Sequence, residues 1–350
     1  MKRIKRTGIV SMFFLLAIVI SGCSSTSTVI DEDEVRVRFA TYVPVTSPVY
    51  KYVAEPWMER VVELTNGKVE FNTFPGEQLG KAHDMLKLTR DGVIDIGLFP
   101  ANYFPEYMPI TSALTGFPSL NTSSYQGTMA YNELLKSDDE LIQRDFVNNR
   151  MVPLMGHVSP TYDVWAIDKE IRVPGDLRGI KIRTAGGITN EYFSHFSAVP
   201  VTISHTETYE ALEKGIIDAA NYSSVGVEAS GTKDLLGHAT FPHIGTAIHS
   251  LVVNERIWNR LPEDVQQAMK QAVEDILEES GVNYDEETIR FNELFEKEGG
   301  DIIELTGEEQ QQWDEAATDF IETWIDNNDD KGVPYQEVLD HYRDLLDKVQ

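Results

Sequence analysis

Val35-Arg36-Val37-Arg38-Phe39-Ala40 alternates apolar and basic side chains before Phe39, the period of a half-buried β-strand. The residues after it make this strand the first of a series. Ser47-Pro48 opens a helix with proline at its first position. Tyr52, Val53, Trp57, Val61 and Val62 supply its apolar face, and Asn66-Gly67 stops it. Lys68-Val69-Glu70-Phe71-Asn72-Thr73-Phe74 reads as the next strand, Pro75-Gly76 as a turn, and residues 81–90 as a helix. Val93-Ile94-Asp95-Ile96-Gly97-Leu98 is a short buried strand. The order β-α-β-α-β is that of a doubly wound α/β domain.

Further along, the pattern recurs. Strands are predicted over 161–167, at Ile180-Lys181-Ile182-Arg183 and at Ile216-Ile217-Asp218-Ala219-Ala220, with helices over 189–196 and 207–214. No segment repeats at a fixed period, so this is a second α/β domain and not a solenoid. Residues 262–297 read as one long acidic helix, and helices over 308–327 and 335–349 close the chain. With no Gly/Ser-rich linker between them, the two domains are expected to be joined by strands and a helix that cross from one to the other.

The amino terminus addresses the chain. Met1-Lys2-Arg3-Ile4-Lys5-Arg6 is basic, residues 9–20 are apolar, and Ile20-Ser21-Gly22 leads to Cys23. This is a signal peptide over 1–22, too short in its apolar run for a comfortable membrane span. Cys23 is the only cysteine, so no intrachain disulfide exists and stability must come from packing. The run resembles a bacterial lipobox, which implies cleavage before Cys23 and lipidation there. Residues 23–34, polar and then acidic, are expected to be a flexible tether. Removal of Lys2, Arg3, Lys5 and Arg6 takes the formal charge from −27 to −31. Such a surface argues against nucleic acid as a partner, and against adhesion to anionic headgroups without the covalent anchor.

Five motifs, in order, resemble the solute-binding proteins of TRAP transporters (DctP type). They are Phe39-Ala40-Thr41 with Ser47-Pro48, and Phe74-Pro75-Gly76-Glu77-Gln78-Leu79-Gly80. Asp91-Gly92-Val93-Ile94-Asp95-Ile96 is the third. Pro174-Gly175-Asp176-Leu177-Arg178-Gly179-Ile180-Lys181-Ile182-Arg183 is the most diagnostic, followed by Tyr209-Glu210-Ala211-Leu212 with Gly215-Ile216-Ile217-Asp218. The resemblance implies a two-lobed, periplasmic-binding-protein-like α/β fold with a hinge and long C-terminal helices. Lobe I would comprise 35–159 and 248–287, lobe II 160–247 and 288–350. It implies a lipid-anchored receptor on the extracytoplasmic face of a bacterial membrane, with a small organic acid as ligand. A small and a large integral membrane subunit would be its partners.

In that family the arginine of K-I-R holds the ligand carboxylate, which here is Arg183. The side chain suits that role, because a guanidinium stays charged and offers parallel N–H donors to both carboxylate oxygens. Arg183 ends a predicted strand, where open α/β sheets place ligands. Gly186-Gly187 would allow close backbone approach to an anion at the next helix start. Asn221 matches a family asparagine that reaches the ligand, although the residues around it differ. Where many members carry a second arginine, Tyr162 stands. Tyr42, Tyr103, Phe104, Tyr162 and Trp165 are candidates for an apolar wall, and Glu77 and Gln78 for a polar contact at the turn.

Rival readings rest on less. No G-x-S-x-G, Walker loop, H-E-x-x-H or G-x-G-x-x-G occurs, and an enzyme is not expected. A zinc-binding surface lipoprotein is the alternative, through His238, His243 and His249, with His195 and His205 nearby in sequence. No cofactor is expected, though some relatives bridge the ligand carboxylate with a metal. A purely adhesive lipoprotein would explain the anchor but not the motifs.

Overall fold

The computed structural model describes residues 28–349. The expected signal peptide, Cys23 and the first part of the expected tether lie outside the described residues. Structure begins ahead of the alternating strand, inside the stretch whose composition reads as tether. Val29–Ile30 pairs antiparallel with Val35 and Arg36. The acidic run between them folds because Asp31 Oδ1 accepts the N–H groups of Asp33 and Glu34.

Two sheets carry the chain. In the first, Val35–Thr41 has Val69–Phe74 and Ile96–Pro100 parallel to it. Ile248–Asn254 and Met151–Val158 extend this sheet antiparallel beyond Ile96–Pro100. The second sheet runs in the order Asp301–Ile303, His238–Thr240, Asp163–Ala166, Ala219–Tyr222, Lys181–Thr184, Val199–Thr202. The chain crosses between the sheets after Val158, after Thr240 and along the helix Glu263–Lys297. At 35 residues this helix is about 52 Å long, enough to pack on both halves. Its amino-terminal part lies on the helix Glu55–Leu64, and its far end puts Phe291 and Phe295 against Trp165.

The first helix is not regular. A π-turn, Tyr50–Ala54, precedes Glu55–Leu64, and Pro56 sits at the junction. Proline has no N–H for the carbonyl four residues back, and the wider turn accommodates the loss. The strands predicted at 93–98 and 216–220 begin later, at Ile96 and Ala219. The reason is the same in both lobes. Asp95 Oδ2 accepts Arg38 N–H at 2.8 Å, and Asp218 Oδ2 accepts Lys181 N–H at 3.0 Å. Each aspartate closes the turn against the neighbouring strand before its own strand starts.

The C-terminal helices divide between the lobes. Gly307–Asn328 spans both: Phe320 packs on Tyr192 and Trp324 on Phe117. Tyr335–Leu346 lies on Ser124–Ser137, with His341 Nδ1 3.0 Å from Asp138 and Tyr342 OH donating to Gly127 O. This last helix therefore sits with the first sheet's helices and not with lobe II, where chain order would place it. Its apolar stripe of Val338, Leu339, Tyr342 and Leu346 is buried by non-local partners, which sequence position does not reveal.

Candidate functional site

Arg183 lies on the strand Lys181–Thr184, between Val199–Thr202 and Ala219–Tyr222, and is only 1% exposed. Its Nε donates to Ile203 O at 2.9 Å and its Nη1 to Asn221 O at 3.1 Å. The guanidinium sits over the Tyr222 ring, 4.1 Å from its centroid. Among the described residues no acidic side chain pairs with it, and Nη2 has no protein partner. Burial acts against its charge, and the surrounding tyrosines, Tyr222 first, act for it; proton affinity ends above the ordinary arginine value. A buried cation with carbonyl partners alone is incomplete, because desolvation is offset fully only by a counter-charge.

Around it stand polar aromatic groups. Tyr222 OH is 3.0 Å from His205 Nδ1 and 3.1 Å from Thr208 Oγ1. Tyr103, from the first lobe, accepts His205 N–H across the cleft at 3.3 Å. Tyr42 OH is 3.0 Å from His249 Nε2 and its ring lies 6.0 Å from that of Tyr103. Burial first, then Arg183, pushes His205 down to about 4. Burial first, then His205, pushes His249 down to about 3. Both are neutral near pH 7. Between the lobes a cavity of about 40 Å³ is lined by Tyr42, Ser159, Tyr162, His249 and Tyr284, among others. The lobes are thus nearly shut.

Of the residues expected from sequence, Arg183, Tyr42, Tyr103 and Tyr162 come together here. Asn221 is adjacent, but its Nδ2 contacts Asp163 O at 3.4 Å, where one strand crossing ends, and Ile244 O at 3.3 Å, on the other. Trp165 does not join them. It is fully buried in the second lobe's own core, with Nε1 donating to Tyr222 O. Phe104 packs on Phe99 in the first lobe's core. Glu77 holds its turn: Oε1 accepts Ala82 N–H and Oε2 pairs with Lys81. Gln78 is exposed. Gly186 and Gly187 both have positive φ, and Gly187 lies where a Cβ would approach Ser112 Oγ and Asn102 O of the other lobe.

Sequence reasoning missed Tyr222 and weighed His205 and His249 only as metal ligands. The signal for Tyr222 was its place at the end of the strand beside Arg183. The three histidines of the zinc reading do not meet. His238 is on the second sheet by Asp301, His243 is on a crossing by Asp163, and His249 is in the first sheet against Tyr42. Glu170, His238 and Asp301 do lie within 4.8 Å of one another, on the surface. A larger pocket of about 300 Å³ opens behind the hinge, near Asp163, His243 and Asp285, but its lining includes no lysine or arginine.

Two α/β lobes, three crossings and one incompletely paired cation in the cleft define a two-lobed receptor for small solutes. The chain belongs to the family of bacterial extracellular solute-binding proteins, family 7 (DctP), whose profile matches residues 39–327. It is a binding protein, not an enzyme. It is 21% identical over 298 residues to the C4-dicarboxylate-binding periplasmic protein DctP of Rhodobacter capsulatus, covering 82% of this chain and 85% of that one. A marine metagenome TRAP solute-binding protein specific for aromatic acid ligands superposes with TM-score 0.82 at 22% identity, over 90% of this chain and 99% of that one. A Bordetella bronchiseptica TRAP periplasmic protein with bound mandelate gives 0.79 at 19% identity, over 90% of this chain and 100% of that one. At these identities the structural likeness establishes the fold alone.

Proposed function

We propose that the protein is the lipid-anchored, extracytoplasmic receptor of a TRAP transporter. It captures a small organic acid and delivers it to a small and a large integral membrane subunit. The buried Arg183, unpaired by any described acid, is the observation that carries the ligand chemistry. Ile203 and Asn221 carbonyls occupy Nε and one Nη1 hydrogen. The end-on pair of Nη1 and Nη2 then remains for the two carboxylate oxygens. Tyr42, Tyr103 and Tyr162 form the wall, and Asn221 keeps its Oδ1 for a ligand hydroxyl. Lobe I, residues 35–159 and 248–287, closes on lobe II, which begins at 160 and resumes at 288.

Residues 1–22 act as the signal peptide and Cys23 as the lipid attachment point. The basic start, the short apolar run and the single cysteine support this reading. Two or more acyl chains hold a protein at a membrane where one does not. Labelled fatty acid should enter the wild type and not Cys23→Ser; equal incorporation would remove the anchor from the proposal.

The ligand chemistry is tested by calorimetry with a panel of organic acids on wild type and Arg183→Lys. The lysine keeps the charge and loses the fork, so every acid that binds the wild type should bind the variant more weakly. Unchanged affinity would sink the carboxylate clamp.

A further inference from the structure

Few charges face the cleft. Arg183 is the one buried cation among the described residues. Lys81, at the rim, is exposed and paired with Glu77, and Glu207 nearby is bound to Ser204 Oγ at 2.5 Å. His83 stacks on the outer side of Tyr103 and is exposed. No other described residue offers the cleft a second buried positive charge.

Arg183 reaches the cavity through Tyr222, whose ring it covers and which lines it; on the first-lobe side the same cavity meets groups that are polar, buried and incompletely bonded. His249 and His157 are directly paired across neighbouring strands of the first sheet. His157 is fully buried with neither ring nitrogen partnered, and His249, 5% exposed, has Nδ1 unpartnered. The His157 ring packs against Tyr284 at 4.5 Å, and Tyr284 and His249 both line the cavity. Burial, then His249, holds His157 well below the ordinary histidine range, so this end carries no charge near pH 7. Buried imidazoles without partners are costly, and a partner that donates or accepts without charge relieves them.

We infer that the solute is a monoanion, with one carboxylate for Arg183 and, at its far end, an uncharged hydrogen-bonding group that meets the His249 side of the cavity. This rests on the carboxylate reading proposed above and narrows it. A diacid would bury its second carboxylate against neutral imidazoles and tyrosines. To avoid that it must enter protonated, which at about pH 7.5 and a carboxyl pKa near 4.3 disfavours it by on the order of a thousandfold.

Calorimetry on the purified protein with two isosteric series decides the matter. One series is isophthalate, 3-carbamoylbenzoate and 3-isopropylbenzoate; the other is succinate, succinamate and 4-methylpentanoate. In at least one series the half-amide should bind about tenfold or more tighter than both the diacid and the apolar isostere. His249→Phe should remove the preference over the apolar isostere. If, in every series that binds, the diacid or the apolar acid binds as tightly as the half-amide, the inference is overturned and the carboxylate reading stands. No binding by any of the six acids strikes the carboxylate reading itself and takes the inference with it.

Discussion

Arg183 has a structural role in the fold and a proposed role in the clamp, and the two predict different losses. Its Nε and Nη1 satisfy the carbonyls of Ile203 and Asn221, so it ties together three neighbouring strands of the second sheet. Arg183→Ala should cost on the order of 2–5 kcal/mol in ligand affinity, because the carboxylate would be desolvated without a partner. Melting of the empty protein should fall as well, since two buried carbonyls lose their donors. In an open, wet cleft the substitution would leave empty-protein stability untouched; the 1% exposure removes that expectation. Trp165 makes the contrast. It packs on Phe241, Phe291 and Phe295 and lines no part of the cavity. Trp165→Phe should lower the melting temperature and leave affinity near wild type, by calorimetry beside melting curves. Trp165→Ala should cost about 3–5 kcal/mol of stability.

Among the elements, the hinge is a small hydrogen-bonded unit. The two strand crossings bond to each other: Tyr162 N–H donates to Gly245 O at 2.8 Å and Ile244 N–H to Tyr162 O at 2.6 Å. Asn221 Nδ2 reaches Ile244 O on one crossing and, where the other ends, Asp163 O at the start of its strand. Arg183 in turn holds the Asn221 carbonyl, so the buried cation of the cleft and the hinge share one residue. Asn221→Ala should therefore speed amide hydrogen exchange at Tyr162 and Ile244 while the distant pairs of the first sheet stay protected. Unaltered exchange at both amides would show that the asparagine does not brace the hinge. The twin aspartates have a similar local logic. Asp95 also receives Nη2 of Arg38 at 2.7 Å, which compensates a fully buried carboxylate.

For the molecule as a whole, the cavity of about 40 Å³ is far below the roughly 300–1,000 Å³ of small-molecule pockets and holds no organic acid as it stands. Entry requires the lobes to part and capture requires them to close. Small-angle scattering should show a smaller radius of gyration with saturating ligand than without. An unchanged profile at saturation would refute closure on binding. Stability should also depend on pH. His157, His205 and His249 are held neutral in the fold, their affinity for protons lowered by burial. Below about pH 6.5 the unfolded chain takes up protons that the folded chain refuses, so these groups lose stability as pH falls from 6.5 toward 4. Each contributes at most about 1.4 kcal/mol per pH unit. Asp145 works the other way: burial, outweighing the N–H groups of Ile110 and Thr111 that it accepts, raises it to about 7. Its protonation favours the fold as pH falls from 7 toward 4. Asp163 and Asp285, likewise raised by burial, act with Asp145, so three histidines stand against three acids and the difference between variants is the test: from pH 6.5 to 4.5, His249→Phe should lose less melting temperature than the wild type, or gain more.

Local pattern was enough to read the two α/β halves and the long crossing helix, and the motif run nominated Arg183 as the candidate cation. These are short-range quantities: a period of two or 3.6, a turn residue, a run such as Pro174 to Arg183. The same pattern did not reveal the strand Ile248–Asn254, where all seven residues are buried and no alternation survives. That strand inserts between Ile96–Pro100 and Met151–Val158, and only this placement sets His249 beside Tyr42 and opposite His157. Tertiary packing likewise sent Trp165 to a core, committed Glu77 to its turn and scattered the three histidines of the zinc reading. It also carried the last helix back to the first lobe. In each case the deciding partner lies far away in the chain or belongs to a turn closed on itself. A side chain's fate between core, hinge and cleft is set by what packs against it, which local pattern does not encode.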